Sequence, residues 1–257
     1  MITGQKNTLF KLDSIAFAYS EKEPVLNDLS LEIFEGERIS ILGANGCGKT
    51  TLLKILSGLI FPQSGEFTAF GDKIEQKNFS DKFSKVYHRK IGFIFQDSDV
   101  QLFCSTVYEE LAFGPLQFGL SQELVKQRIN ETAQMLGIKH LLEKTPYKLS
   151  SGEKKKVAIA SVLILNPDVL ILDEPTNSLD PRSQSWLLRL LHTLGDAGKT
   201  LIFATHNLNL VPEVSDRAVL FDEDHNIVAD MPVTELLKDE ELLKRVNLVD
   251  DNYHACL

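Results

Sequence analysis

The fold class follows from one glycine-rich segment, Gly43-Ala44-Asn45-Gly46-Cys47-Gly48-Lys49-Thr50. Its spacing matches G-x-x-x-x-G-K-[ST], the pattern of a loop that binds phosphate groups between a strand and a helix. The residues before it, Arg38 to Leu42, predict a short strand, and from Thr50 onward leucines recur at helical spacing until Gly58. The segment therefore has the strand, loop and helix context that a phosphate loop requires.

Each position of this segment has a chemical reason. Glycines let consecutive main-chain N–H groups turn toward an anion without a Cβ clash, and the start of the helix adds partial positive charge. We expect the Lys49 ammonium to reach the β- and γ-phosphates of a nucleotide, and the Thr50 hydroxyl to ligate Mg²⁺. The alternative is a glycine-rich turn that binds nothing, which the complete match and its flanks disfavour. The predicted nucleotide contacts are Gly43, Ala44, Asn45, Gly46, Cys47, Gly48, Lys49, Thr50 and Thr51.

A strand that ends in two carboxylates supplies the second part of the predicted site. The apolar run Val169 to Leu172 leads directly into Asp173 and Glu174. A carboxylate at the carboxyl end of a buried strand can hold Mg²⁺, which is the role predicted for Asp173. Because neighbouring side chains on a strand diverge, Glu174 is the candidate that polarises an attacking water. The alternative is an ordinary strand that ends in solvated acids. The presence of a phosphate loop in the same sequence disfavours it.

Composition limits the class of protein. The chain has 257 residues, of which 43% are hydrophobic and 25% charged, enough for one large core or two modest ones. Its net charge of −9 disfavours nucleic acid as a partner, because phosphate-backbone binders need clustered positive charge. The longest apolar runs have strand length and fall short of the roughly 20 residues that a membrane helix needs. No secretory signal is visible at residues 1–6, so we expect a cytoplasmic chain. The three cysteines, Cys47, Cys104 and Cys256, show no CxxC spacing, so we expect no structural disulfide.

The chain alternates between strand-like and helix-like regions. Residues 9–19 and 29–33 show the period-2 alternation of strands, and from about 97 to 149 helical patterns dominate. Strand-like 169–172 and 200–205 then enclose helix-like 184–194, the rhythm of a parallel α/β sheet. The last segment, 232–246, predicts one amphipathic helix. These patterns place the chain in the α/β class.

The order of these motifs resembles the ATP-binding subunit of an ABC transporter, over nearly the whole chain. The order is the phosphate loop, Gln96, the Leu-Ser-x-Gly segment at 149–152, the Asp-Glu pair at 173–174, and His206. The resemblance implies a P-loop NTPase of the ABC-ATPase fold, with an N-terminal antiparallel β-subdomain and a RecA-like parallel-sheet core. A helical subdomain at approximately 97–165 would be inserted into a single domain of residues 1–257. It also implies hydrolysis of ATP with Mg²⁺.

The resemblance assigns a role to five further parts of the sequence. Gln96 corresponds to the glutamine that approaches Mg²⁺ and senses the membrane partner, and His206 to the switch histidine that contacts the γ-phosphate. Tyr19 corresponds to the aromatic that stacks on adenine. Asp180 lies in the loop at the dimer interface, and 149–153 in the signature that caps the nucleotide of the opposite subunit. Singly, each has an ordinary alternative, such as a polar strand end, a helix cap or a tyrosine on a strand face; together and in order, they favour the site.

The signature segment departs from the usual Leu-Ser-Gly-Gly-Gln of this family. Ser151 replaces the first glycine and Glu153 replaces the glutamine, while Ser150 and Gly152 are kept. Ser151 would add a hydroxyl and Glu153 a negative charge near the partner's phosphate. The helix that follows is predicted over 153–165, and the lysine run 154–156 within it predicts a solvated face rather than a specific anion site.

The stretch after Gln96 is similar to the ATPases of energy-coupling-factor importers, especially those for cobalt and nickel. In that family this region receives coupling helices of a transmembrane subunit, and Leu102, Phe103 and Phe113 would suit such a groove; they would equally suit the core of the helical subdomain. The resemblance implies a homodimer, or a heterodimer with a paralogue, at the cytoplasmic face of the membrane. Its partners would be a transmembrane coupling subunit and a substrate-binding membrane subunit, with no nucleic acid.

The functional hypothesis is uptake of a small nutrient, cobalt or nickel rather than a vitamin, driven by ATP hydrolysis. The alternatives are a vitamin importer, a soluble ABC ATPase that acts on nucleic acid or ribosomes, and a regulator that binds ATP without hydrolysis. The acidic cluster at 222–225 is interpreted as a hairpin turn rather than a metal site, because it lies between two strand-like segments. His254 and Cys256, in a short tail, are not interpreted as a metal site either.

Overall fold

Ten strands form two sheets among residues 7–20 and 23–250, which are the residues described by the computed structural model. In chain order they are β1 (Thr8–Ser20), β2 (Glu23–Phe34), β3 (Arg38–Leu42), β4 (Ser64–Ala69), β5 (Asp72–Lys73), β6 (Ile91–Ile94), β7 (Val169–Asp173), β8 (Thr200–Thr205), β9 (Arg217–Phe221) and β10 (Ile227–Pro232). The predicted strands before the phosphate loop and at 169–172 are therefore confirmed.

The first sheet is antiparallel, with the strand order β2-β1-β4-β5. Its inner face buries Phe10, Leu12 and Ile15 of β1 against Phe67 of β4. The register of β1 shifts at Ser14, whose φ of 50° marks a bulge between Leu12 and Ile15. Strands β1 and β2 confirm the strands predicted at 9–19 and 29–33.

The second sheet has six strands in the order β10-β9-β3-β8-β7-β6, parallel except for β10. Its central strand β3 is buried from Ile39 to Leu42, as expected for a parallel strand covered on both faces. In the register, Leu42 pairs with Thr205 and Asp173 pairs with Ala204. The carboxyl ends of β3, β7 and β8 therefore meet at one edge of the sheet.

Ten α-helices connect and cover these strands within the described ranges. They are α1 (Lys49–Leu56), α2 (Asp81–Lys90), α3 (Ser98–Gln101), α4 (Val107–Gln117), α5 (Gln122–Met135), α6 (Ser151–Leu163), α7 (Pro181–Asp196), α8 (Val211–Val214), α9 (Val233–Leu236) and α10 (Glu240–Arg245). Helices α4, α5 and α6 share a hydrophobic cluster that includes Leu111, Ile129 and Val157. The boundaries of an inserted helical subdomain within one domain stay a prediction.

The single amphipathic helix predicted for 232–246 is wrong. The chain forms α9 and α10 instead, separated at Asp239. The backbone of Asp239 is not helical, and its carboxylate accepts the N–H of Leu242 at 3.0 Å, which begins a new helix. Both short helices still bury their apolar residues in one cluster with Leu220.

The segment 222–225 forms the turn of the β9–β10 hairpin, as predicted. Asp222 accepts the N–H of Asn226 at 2.8 Å, and His225 adopts a left-handed φ of 68°. Among the described residues, no group of three or more His, Cys, Asp and Glu side chains could hold a metal ion. His254 and Cys256 lie outside the described residues. In the same ranges, no helix combines the length and the apolarity needed to cross a membrane.

Candidate nucleotide-binding site

The predicted phosphate and carboxylate residues meet in one cavity at the carboxyl edge of the parallel sheet. Its volume is about 380 Å³. It is lined by Tyr19, Val25, Asn45, Gly46, Gly48, Lys49, Thr50, Thr51, Gln96, Asp173 and Glu174. The loop at 45–51, Gln96 and the pair at 173–174 converge here because β3, β6 and β7 end on the same side, and Tyr19 and Val25 come from the antiparallel sheet.

The glycine loop leaves β3 and turns into α1 with main-chain angles that exclude ordinary side chains. Gly48, the residue before α1, has a φ of 107°. A Cβ at Gly48 would lie 2.8 Å from the main-chain oxygen of Val25. The spacing of the motif therefore has a steric cause as well as an electrostatic one.

Lys49 is buried, and its ammonium lies inside the curve of the loop. Its Nζ donates to the main-chain oxygens of Gly43 at 2.7 Å and Ala44 at 2.9 Å. The Sγ of Cys47 lies 4.0 Å from this Nζ. Burial raises the pKa of the Cys47 thiol, although the Lys49 charge opposes the shift. With its thiol buried and its pKa raised, Cys47 is a small side chain that fits the loop rather than a reactive nucleophile.

A hydroxyl and a carboxylate lie together on the floor of the cavity. The Thr50 hydroxyl donates to Oδ2 of Asp173 at 2.8 Å. Oδ1 of Asp173 is buried and has no hydrogen-bond partner among the described residues. Burial raises the pKa of Asp173, and the adjacent Glu174 carboxylate adds to the shift, while the hydrogen bond from Thr50 opposes it. An unsatisfied carboxylate oxygen beside a hydroxyl suits a hard cation such as Mg²⁺, so Thr50 and Asp173 fit the predicted metal.

Glu174 is held by the neighbouring strand β8. It has a left-handed φ of 42°, and its N–H donates to the main-chain oxygen of Ala204 at 2.9 Å. Its Oε1 lies 2.7 Å from Nδ1 of His206, and its Oε2 accepts the hydroxyl of Thr205 at 3.1 Å. Sequence reasoning did not identify Thr205. The available signal was a hydroxyl at a strand end, directly before His206.

Gln96 also lines the cavity and is anchored through its main chain. Its carbonyl oxygen accepts a hydrogen bond from Nζ of Lys155 at 2.9 Å, and the Phe95 carbonyl accepts one at 3.0 Å. Lys155 is only 3% exposed, and burial lowers its pKa to about 8 against the opposing charges of Asp97 and Asp173. Sequence reasoning also missed this contact.

The prediction of a solvated lysine face at 154–156 is therefore wrong. Lys154 forms an ion pair with Asp99 at 2.6 Å, and Lys156 lies with its Nζ 4.9 Å from the ring centroid of Trp186. The reason is that α6 packs against β6 and α3, beside the partners of Lys155 and Lys154, while the ring beside Lys156 belongs to α7. A run of like charges in the sequence carries no information about those partners.

Tyr19 stands at the mouth of the cavity. Its side chain is 59% exposed, and its hydroxyl lies 3.4 Å from the hydroxyl of Thr51. The ring of Phe17 supports it edge-on, with the two centroids 5.0 Å apart. A supported and exposed aromatic ring is suited to stacking on a flat ligand.

The signature segment does not line this cavity. Helix α6 begins at Ser151, two residues earlier than predicted. Ser150 caps this helix, since its hydroxyl accepts the N–H of Glu153 at 3.4 Å. The Glu153 carboxylate accepts from the N–H and the hydroxyl of Ser150 at 2.9 and 2.8 Å, and these bonds lower the pKa of Glu153. Ser151 instead lines a second cavity of about 430 Å³, together with Gln96.

Gly152 and Asp180 meet at the start of α7. A Cβ at Gly152 would collide with the hydroxyl oxygen of Ser183. Asp180 caps α7 by accepting the N–H groups of Arg182 and Ser183, and it also accepts the Ser183 hydroxyl at 2.7 Å. These hydrogen bonds lower the pKa of Asp180. Neither residue lines the cavity, so their predicted nucleotide contacts stay predictions.

Comparison with known proteins decides the family. The sequence profile described as ABC transporter matches residues 26–177. The chain belongs to the ABC transporter family. The nickel import ATP-binding protein NikO of Rhodobacter capsulatus is 43% identical to this ABC protein over 244 residues, which are 93% of this chain and 95% of NikO.

Two solved structures share the fold of this ABC protein. The structure of cbiO1 from Clostridium perfringens, part of the ABC transporter complex cbiONQ, gives a TM-score of 0.80 at 34% identity and covers 95% of this chain and 96% of that chain. The cassette MJ0796, a dimer in a post-hydrolysis state bound to ADP and Pi, gives a TM-score of 0.78 at 28% identity and covers 88% of this chain and 99% of that chain. The predicted ABC-ATPase fold is confirmed, and this ABC protein is an ATPase.

Proposed function

We propose that this ABC ATPase binds ATP with Mg²⁺ at the cavity described above and uses its hydrolysis to drive uptake of nickel or cobalt ions through separate transmembrane subunits. One observation carries the nucleotide part: the unsatisfied Oδ1 of Asp173 lies beside the Thr50 hydroxyl, next to a glycine loop and a held glutamate. The relative named as a nickel import ATP-binding protein supports the cargo class.

The loop residues and Lys49 bind the phosphates in this proposal, and Tyr19 stacks on the adenine. Main-chain N–H groups of the loop face the anion, and the Lys49 ammonium supplies a full positive charge at the β- and γ-phosphates. Thr50, Asp173 and the Gln96 side chain hold Mg²⁺. When bound, Mg²⁺ neutralises charge on the β- and γ-phosphate oxygens.

Glu174 acts as the base that orients a water molecule and accepts its proton. The hydrogen bonds from Thr205 and His206 hold both carboxylate oxygens, so the direction of the carboxylate is determined before any water binds. His206 is 44% exposed, and its ring is thereby accessible to a γ-phosphate while it contacts Glu174. A positioned base of this kind contributes on the order of 10² to 10⁴ to the rate.

A second subunit completes each site. The signature and interface residues do not line the cavity of their own subunit; they are Ser150, Ser151, Gly152, Glu153 and Asp180. This position is required if they contact the nucleotide of the partner subunit. The dimeric cassette MJ0796 supports such an assembly, as a homodimer or as a heterodimer with a paralogue. The Glu153 carboxylate is held within its own helix cap by the N–H and the hydroxyl of Ser150.

An exposed aromatic pair forms the proposed contact with the transmembrane coupling subunit. Phe103 is 66% exposed and Phe113 is 44% exposed, and their rings meet edge to face with centroids 4.9 Å apart. Leu102 packs against the helical cluster instead. Of the three residues predicted for the groove, two are thus available to a partner, and this exposure supports a peripheral position of the ATPase at the cytoplasmic face of the membrane. A substrate-binding membrane subunit would recognise the cargo.

The experiment is co-purification with the native membrane subunits, followed by uptake into vesicles. ATP-dependent uptake of Ni²⁺ or Co²⁺ is expected, and a complex that carries Glu174→Gln serves as the control without hydrolysis. Uptake of a vitamin but of neither metal would contradict the cargo assignment. Stimulation of ATP turnover by RNA or DNA, with no membrane subunit in the complex, would contradict the transport function.

A further inference from the structure

Lys155 joins the helix that begins with the signature to the loop that carries Gln96. It lies one helical turn from the start of α6, and it is 3% exposed. Its Nζ donates to the carbonyl oxygens of Phe95 at 3.0 Å and Gln96 at 2.9 Å. Both partners are main-chain groups at the end of β6, so the ammonium contacts the chain just where it enters the nucleotide cavity.

Two neighbouring contacts fasten the same segment to α6. The Gln101 side chain accepts the N–H of Phe95 at 3.3 Å and donates to the carbonyl of Ala158 at 2.9 Å. Lys154 forms the 2.6 Å ion pair with Asp99. The segment from 95 to 101 is therefore tied to α6 at three points, of which the Lys155 contact is the most buried and involves Gln96, which lines the nucleotide cavity.

The direction of the Gln96 side chain depends on these bonds. Gln96 lines the nucleotide cavity and also the second cavity, beside Ser151. The carbonyls of Phe95 and Gln96 belong to the two planar peptide units on either side of the Gln96 Cα, so displacement of both units moves the Cα–Cβ bond and with it the side chain. A carbonyl that loses a buried charged donor must rotate or find water, because an unsatisfied buried polar group is unfavourable.

We propose that Lys155 is a positioning residue for ATP hydrolysis: it holds the main chain at Gln96, keeps the Gln96 side chain in the nucleotide cavity, and ties it to the helix that begins with the signature. The proposal rests on the role of Gln96 given under Proposed function. Lys155 itself does not line the nucleotide cavity. It acts through Gln96, and a movement at the start of α6 is carried to the Gln96 loop.

The test is a double-mutant cycle in the intact protein, with kcat and the KM for ATP measured for Lys155→Met, Gln96→Ala and the double variant. Lys155→Met is expected to lower kcat roughly tenfold in the parent but less than about twofold in the Gln96→Ala background, because effects through one group do not add. The KM should change less than about twofold, since the loop at 43–50 binds the phosphates. Lys156→Met, the adjacent lysine of α6, is the control and should keep the parent kcat.

A purely structural role gives a different result. The positioning role is overturned if Lys155→Met lowers kcat by the same factor in both backgrounds. It is also overturned if Lys155→Met leaves kcat unchanged while Gln96→Ala lowers it. In both cases the proposed role of Gln96 survives. If Gln96→Ala itself keeps the parent kcat, the proposed role of Gln96 fails, and the positioning role fails with it. Thermal unfolding checks the fold of each variant. Should Lys155→Met not fold, Gln101→Met removes the second tie and passes through the same cycle with the same criterion.

Discussion

Nδ1 of His206 lies 2.7 Å from Oε1 of Glu174, across the boundary between two parallel strands. Glu174 follows the last residue of β7, and His206 follows the last residue of β8. Thr205 holds the other carboxylate oxygen at 3.1 Å. The proposed base is thus oriented by the strand next to its own, and the parallel register of β7 and β8 is what determines that orientation.

Glu174→Gln should abolish most ATP hydrolysis while it preserves ATP binding. The amide keeps the shape of the side chain and can bond to Thr205 and His206, but it cannot accept a proton, so turnover should fall by at least about 100-fold. Phosphate release measures turnover, and size-exclusion chromatography with ATP should show a trapped dimer. Glu213→Gln, an exposed glutamate on α8, is the control. A monomeric Glu174→Gln protein with the parent rate would show that another group is the base.

Asp173→Asn should raise the Mg²⁺ concentration that hydrolysis requires. The variant replaces a carboxylate whose Oδ1 is unsatisfied by a neutral amide, which is a poorer ligand for a hard cation. Half-maximal activity should shift to at least about tenfold higher Mg²⁺. Asp168→Asn changes an exposed aspartate beside the other end of the same strand and should keep the parent Mg²⁺ curve. Superimposable curves for parent and Asp173→Asn would remove Asp173 from the metal site.

Glu153→Ala should reduce the stability of the protein more than Glu153→Gln does. The Glu153 side chain forms a capping box with Ser150, and glutamine can form the same box. Loss of the box should lower the free energy of unfolding by about 1 kcal/mol. Urea unfolding of the parent and both variants separates these cases. Equal losses for glutamine and alanine would mean that the negative charge, rather than the cap, stabilises α6.

Gly152→Ala should destabilise the packing between α6 and α7. The added Cβ would collide with the hydroxyl oxygen of Ser183, which is held by Asp180. Overpacking of this kind costs about 1 to 3 kcal/mol. Ser183→Ala removes the colliding oxygen. Gly152→Ala should therefore lower the free energy of unfolding less in the Ser183→Ala background than in the parent. If the second substitution restores nothing, the destabilisation has a cause other than this contact.

His88→Gln should make stability less sensitive to acid. His88 on α2 is half-buried and hydrogen-bonds the Ser57 carbonyl at 3.2 Å; burial lowers its pKa, and the carbonyl opposes the shift. In the unfolded chain the His88 imidazole binds a proton near pH 6.5, whereas in the folded protein it binds one only at lower pH. The stability that His88 contributes above about pH 6.5 is therefore lost as the pH falls. The variant should lose less unfolding free energy between pH 7.5 and pH 5.5.

The matched control for that measurement is His192→Gln, at an exposed histidine on α7. Unfolding by urea at each pH gives the free energies, and only the difference between parent and variant is interpreted, because many other groups also titrate. Parallel curves for the parent and His88→Gln would show that protonation of His88 is not linked to folding.

The sequence alone determined those features that depend on neighbours along the chain. The phosphate loop was predictable because its glycines are required by local main-chain angles, such as the φ of 107° at Gly48. The strand that delivers Asp173 was predictable because a short apolar run that stops abruptly at two acids is typical of a buried strand reaching the edge of its sheet. The hairpin turn at 222–225 was predictable because a short polar segment lies between two strand-like segments.

The tertiary structure decided which polar groups have partners. Lys155 looked like part of a solvated run, yet it is buried because it meets two carbonyls some 60 residues earlier in the chain. Thr205 looked like an ordinary strand residue until β8 was placed beside β7. Hydrophobic periodicity shows which side of an element is apolar, but a hydrogen bond to a distant segment depends on how the strands and helices are packed. That information exists only in the folded chain.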